Sequence, residues 1–223
     1  MNSLQRTTDK QTSAMVKPLQ QGEMDGLCGI YALVNAIRRL AGQRLSEEDG
    51  TDLFKELIRS VYKRNNRKRK KKPQTPIEFI WDGTSTQEIS YMLKKSKDFL
   101  KDRNLNLDWK KPLQGRNRPN NIDQYWRRLQ EAFQEHGGQD KCAAIVDYNW
   151  QIDNHEEDGH WTCVIKITEN ILFLHDSFKR RDIKFKKMYK SRCTLGTPTS
   201  SRPHRLFAHN VSLLRFNGTE LTS

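Results

Sequence analysis

The sequence predicts an α+β domain, with helices filling its first part and an antiparallel sheet its last. Two observations carry this. Up to about residue 135 the apolar residues recur at helical spacing, as Ile30, Leu33, Val34 and Ile37 do at i, i+3, i+4 and i+7. From Cys142 onward they form short continuous blocks at 142–148, 161–167 and 171–175, the last two separated only by Thr168, Glu169 and Asn170, which is the pattern of a β-hairpin. Helices followed by strands joined through short turns is the order of an α+β domain and not of alternating βαβ units.

Length and composition narrow the class further. A chain of 223 residues suits a single domain at 18–223 after a polar, flexible N-terminal tail at 1–17, with a basic insertion near 63–76. Hydrophobic residues make up 35% and charged residues 30%, and the 5 Trp, 9 Phe and 6 Tyr supply enough core anchors to exclude a disordered chain. The net charge of +13 favours an acidic partner such as nucleic acid or an anionic surface, and equally serves solubility. Cys28, Cys142, Cys163 and Cys193 are far apart and form no C-x-x-C pair, so neither a zinc site nor a disulfide framework is indicated, and a reducing, cytoplasmic compartment is the simpler reading. The first 17 residues lack the apolar stretch of a cleaved signal, and no run reaches the roughly 18 apolar residues of a membrane span. If the protein is secreted, it leaves by a route that needs no cleaved signal peptide.

Taken in order, a helix opens at Cys28 and closes at Gly42, a residue suited to a helix C-terminus. Ser46 to Asp49 resembles a capping box and starts a second helix with Leu53, Phe54, Leu57, Ile58 and Val61 inward. Residues 63–72, which open on Lys63 and close on Lys72, are almost wholly basic and read as a solvated loop or frayed helix end. They could bind phosphate or nucleic acid, although no aromatic residue interleaves the charges as a single-strand surface would require. Ser85 and Glu88 mark a second capping box ahead of Ile89, Met92 and Leu93. Residues 105–120 read as a loop. Asn121 caps a helix with Ile122, Tyr125, Trp126, Leu129 and Phe133 on one face, ended by His136, Gly137 and Gly138. The helix dipole accounts for His136 at that end. Residues 183–189 and 209–216 could add strands.

The chemistry concentrates at Cys28. A cysteine on the first turn of a helix faces unpaired N–H groups and a partial positive charge, which favour a thiolate. Gly26 and Gly29 would let other backbone come close to it, and Asp25 is expected to cap the helix. The bland alternative is a small buried residue, the common fate of an unpaired cysteine. A histidine with an acid partner would decide for a nucleophile. If the hairpin turns at Thr168, His160 and Asp176 face one another across it, close enough for the carboxylate to hold the imidazole. His155, in the acidic loop at 153–158, is an alternative base, and that loop could select cationic substrate residues. His204 and His209 have no local acid. No third ligand falls at a regular spacing to build a metal site, and no cofactor is implied.

A glutamine upstream, Cys-Gly at a helix start, Gly159-His160-Trp161 opening a strand and an Asp on the next strand together resemble the papain-like cysteine peptidase superfamily. The likeness is to its compact bacterial branches, among them bacteriocin-processing peptidases, secreted effector proteases and glutamine deamidases. It spans roughly residues 20–178 on three short islands. It implies a helical part bearing the catalytic cysteine packed on a C-terminal antiparallel sheet, with Cys28 as nucleophile, His160 as base and acid, and Asp176 orienting His160. Gln21, together with the Cys28 N–H, would hold the oxyanion. Many members carry that glutamine six residues before the cysteine, where this chain has Gly22, so the role stays open between Gln20 and Gln21; Asn35 lies too far along the helix. The activity implied is hydrolysis of a peptide or amide bond in a protein or peptide substrate through a thioester. A glutamine deamidase or transglutaminase acting as a toxin or effector would use the same triad, and a basic nucleic-acid-binding protein with an inert thiol is the reading from a different class.

Overall fold

The computed structural model describes residues 17–21, 26–69, 73–81, 83–151, 157–177 and 187–217. The expectation of a flexible tail at 1–17 therefore falls, but for Lys17, outside the described residues. Among the described residues five α-helices form: α1 (Cys28–Ala41), α2 (Glu47–Lys68), α3 (Pro76–Trp81), α4 (Thr86–Lys101) and α5 (Ile122–Glu135). Both capping boxes are made: Ser46 and Asp49 cap α2, Ser85 and Glu88 cap α4. The Asn121 side chain accepts from the Gln124 N–H at the start of α5. Gly42 ends α1 with φ 56, a conformation that favours glycine.

The strands are β1 (Leu107–Lys110), β2 (Cys142–Gln151), β3 (Glu157–Ile167), β4 (Ile171–Leu174), β5 (Lys187–Tyr189), β6 (Cys193–Thr194), β7 (His204–Leu206) and β8 (Ser212–Phe216). They make one sheet in the order β1-β8-β2-β3-β4-β5, with β7 also paired to β2 and to β6. Every pairing is antiparallel except the short β6–β7 contact. The α+β class read from the sequence is the class found.

The sheet is covered on both faces. Ala143, Ile145, Trp161, Cys163 and Leu214 pack with α1, α2 and α4 in one core, while Cys142, Ala144, Val146, Val164 and Leu213 pack with Tyr125, Trp126, Leu129 and Phe133 of α5 in a second. Consecutive residues of β2 thus enter opposite cores, which is why residues 142–148 read as an unbroken apolar run.

Three local expectations change. Residues 105–120 hold a strand: β1 is an edge strand of four residues whose existence depends on pairing with β8, Leu107 opposite Phe216. The basic block is no loop through Lys68, because α2 continues into it and turns off only at Arg69. Residues 70–72 lie outside the described set. The strand expected at 209–216 starts only at Ser212, after a 3₁₀ turn over Ala208–Asn210. Of the strand expected at 183–189, the described part is β5.

The segment before α1 is strapped along it. Buried Asn35 accepts from the Leu19 N–H at 2.7 Å and donates to the Leu19 carbonyl at 3.1 Å, and Arg38 donates to the Lys17 carbonyl at 3.2 Å. Among the described residues, no helix is long and apolar enough to cross a membrane.

Candidate active site

Cys28 is the first residue of α1, with Leu27 at the N-cap and no side chain capping the end. Asp25, expected to cap it, lies outside the described residues. The glycines on either side seat this helix start against the connection from α3 to α4. The Gly26 N–H donates to the Ile80 carbonyl at 2.6 Å, and a Cβ on Gly26 would stand 2.7 Å from the Gly83 nitrogen. A Cβ on Gly29 would stand 2.5 Å from Thr84 Cγ2 and 2.6 Å from its Cβ. Gly26 therefore admits backbone, as expected, whereas Gly29 admits a side chain. Thr84 is itself held, because the Trp161 indole N–H donates to its carbonyl at 2.7 Å. Gly29→Ala is expected to push the start of α1 off Thr84 and to destabilise the protein by about 1–3 kcal/mol, as overpacking does. Thermal unfolding measures this, and an unchanged midpoint would refute the close approach.

His160, on β3, is 3% exposed. Its Nε2 lies 2.9 Å and 3.2 Å from the two carboxylate oxygens of Asp176. The partnership predicted from the hairpin thus exists, but by a different route. His160 is paired across β2 to Tyr148, and the β3–β4 register runs through Val164 opposite Leu174, then shifts at a bulge so that Lys166 faces Phe173. Carrying the Val164 register onward would put Thr162, not His160, opposite Asp176. Asp176 stands past the end of β4 and reaches His160 along the diagonal, a spacing that side chains can bridge. The Cys28 side chain is a second hydrogen-bond partner of His160. Burial works against the imidazolium, but the hydrogen bonds and charges of Asp176 and Cys28 override it and lift the His160 pKa to about 10. Tyr148 and Trp150 stand edge-on to the imidazole, with centroids at 5.6 Å and 6.0 Å.

The two glutamines separate. Gln20 is exposed and donates to the nearby Pro18 carbonyl at 3.3 Å. Gln21 belongs to the hairpin end: its N–H donates to the Ser177 carbonyl at 2.8 Å and its carboxamide oxygen accepts from the Ser177 hydroxyl at 3.3 Å. That places Gln21 one residue from Asp176 in the chain it is bound to. Asn35 is committed to the Leu19 backbone.

His136 stands at the C-cap of α5, as the sequence places it, and burial, then Lys110 and Arg215, pull its pKa down. Burial and Arg192 take His204 down to about 4. His155 and most of its acidic loop lie outside the described residues. No group of three or more metal-ligating side chains occurs among the described residues. The other cysteines are free and buried, and burial raises Cys142 to about 11 and Cys193 to about 12, with Cys163 pushed up as well.

One supporting network had no sequence signal. The Asn210 amide donates to Asp147 at 2.6 Å, and the Thr86 hydroxyl donates to the Asn210 side-chain oxygen at 2.8 Å. Asp147 is the β2 partner of Trp161, so this chain of bonds ties the start of α4 to the strand pair that carries His160. Burial raises the Asp147 pKa, and the Asn210 hydrogen bond and the neighbouring His209 and His160 oppose that rise. No protein-family model matches the sequence, and comparison with curated proteins returned no match.

Proposed function

We propose that this chain is a cysteine-dependent amide hydrolase of papain-like type, cleaving a peptide bond in a protein or peptide. The observation that carries the reading is the buried His160, bonded both to Asp176 and to the side chain of Cys28, which stands at a helix N-terminus.

In this reaction the Cys28 sulfur attacks the substrate carbonyl carbon, a C–S bond forms and the carbonyl π electrons pass to oxygen. The Cys28 backbone N–H and the Gln21 side chain hold that oxyanion. His160, protonated at neutral pH, gives its proton to the leaving amine as the C–N bond breaks and a thioester remains. Water then attacks the thioester, His160 takes its proton, and the C–S bond breaks to release the acid and restore the anionic sulfur nucleophile beside protonated His160. Asp176 keeps the imidazole oriented and stabilises its charged form through both halves of the cycle.

Iodoacetamide labelling with mass-spectrometric mapping tests the reading. Cys28 is expected to alkylate at neutral pH while Cys142, Cys163 and Cys193 stay unmodified, and His160→Ala is expected to slow Cys28 alone. Equal, slow labelling of all four cysteines would sink the enzyme reading.

A further inference from the structure

A hollow bordering the connection that packs on Gly26 extends the proposed activity. Between the C-terminal end of α2 and the N-terminal end of α4 lies a cavity of about 380 Å³ whose walls include Arg64, Lys68, Arg69, Phe79, Gly83 and Glu88. Among the described residues that line it, three cations face one carboxylate. That carboxylate is committed: Glu88 accepts from the Ser85 N–H at 2.6 Å, the Ser85 hydroxyl at 2.7 Å and the Asn65 amide at 2.6 Å. Arg64 is preset, donating to the Gln87 carbonyl at 3.0 Å with its guanidinium 4.6 Å from the centre of the Tyr91 ring. The cavity shares a wall with the catalytic helix start. Gly83 lines it and also lies against Gly26, two residues before Cys28, and Phe79 and Gly83 also contact the space next to Leu27 and Ile30.

We propose that this cavity is a specificity subsite that takes an acidic side chain of the substrate, so that peptides carrying Asp or Glu near the scissile bond are preferred. The proposal rests on Cys28 being the nucleophile. A concave, cation-lined site walled by low-dielectric protein raises the local concentration of anionic ligands, and a guanidinium suits a carboxylate bidentately. A peptide fits better than a nucleic acid: Phe79 in the wall is buried against Tyr62 and nearby Tyr91 is covered by Arg64, so neither ring offers an open face for base stacking. Arg64, Lys68 and Arg69 of the basic block thus act in substrate choice.

The test uses capped tetrapeptidyl acyloxymethyl ketones, in which the cysteine sulfur displaces the acyloxy carboxylate, with Asp, Asn or Lys placed at each position in turn. The rate of Cys28 alkylation is read by mass spectrometry. At one position Asp is expected to outrun Asn by about tenfold, the worth of one charge-assisted hydrogen bond, and Lys to be slowest. The Lys68→Glu/Arg69→Glu variant changes exposed residues and is expected to melt as the wild type does while losing or reversing the preference. Cys28 labelled at equal rates by all three series overturns the subsite and leaves the hydrolase reading standing. Failure of every probe to label Cys28 removes both. Salt-sensitive oligonucleotide binding that disappears in the variant, alongside indifferent labelling, assigns the cavity to nucleic acid and overturns the proposal.

Discussion

Cys28→Ser is expected to abolish turnover, by about 10⁴–10⁶-fold as for loss of the nucleophile in related acyl-transfer triads, while leaving folding and substrate binding in place. Serine differs from cysteine by one atom in a site only 7% exposed, so packing is nearly kept. A hydroxyl at this position is a far weaker nucleophile than a thiolate, and removing the sulfur also removes part of what raises the His160 pKa. A chain that binds but does not react is a trap. Incubated with candidate proteins, it should retain substrate that the wild type releases as fragments, identified by mass spectrometry. Products with an intact backbone and a mass gain of one amide-to-acid exchange would move the activity to deamidation, and undiminished turnover by the serine variant would eliminate Cys28 as nucleophile.

Asp176→Asn is expected to cost about 10²–10⁴-fold in rate and to alter the pH profile in a set direction. The change keeps the shape of the side chain that lies 2.9 Å from His160 Nε2 but removes its charge. Losing an adjacent opposite charge lowers the His160 pKa by roughly 1–3 units. Hydrolysis needs His160 protonated to expel the amine, so the alkaline limb of kcat/KM, near pH 10 in the wild type, should move to lower pH in the variant. Stability follows with the same sign. His160 is raised from 6.5 to about 10 by folding, so its contribution is complete below about pH 6.5 and is lost as pH rises through about 10. Melting curves at pH 6, 8 and 10 should show a fall in the wild type that is blunted in the variant. A superimposable pH profile for the two proteins would show that Asp176 does not govern His160.

The legible parts of the molecule were those written in local pattern. The stripe of Ile30, Leu33, Val34 and Ile37, the paired Ser46/Asp49 and Ser85/Glu88 signals and the Asn121 cap each satisfy their own helix, so no distant residue was needed to read them. β1 was illegible because Leu107 to Lys110 alternates weakly and exists as a strand only against residues more than a hundred positions away. The triad shows the same boundary. Cys28, His160 and Asp176 could be named, since each sits beside a local marker, but the register that joins His160 to Asp176 was misread. The turn is centred between Glu169 and Asn170, with the Thr168 N–H bonded to the Ile171 carbonyl, and not on Thr168, and the bulge at Val164/Lys166 takes back only one position of that offset. Ser177, Thr84 and the Asp147–Asn210–Thr86 network were invisible for a related reason: each acts through a partner far off in the chain, and nothing in its own neighbourhood distinguishes it from an ordinary polar residue.

The bond from Gln21 to Ser177 spans 156 positions and joins the strap before α1 to the residue after Asp176. Such a contact closes a loop over most of the chain. The nucleophile's helix can wind as soon as its residues are free of the ribosome, yet its partners His160 and Asp176 are synthesised more than a hundred residues afterwards. An incomplete chain therefore carries the cysteine without the chemistry. On the proposed reading, the site is complete only when His160 and Asp176 have joined Cys28, and no N-terminal fragment short of Asp176 holds it.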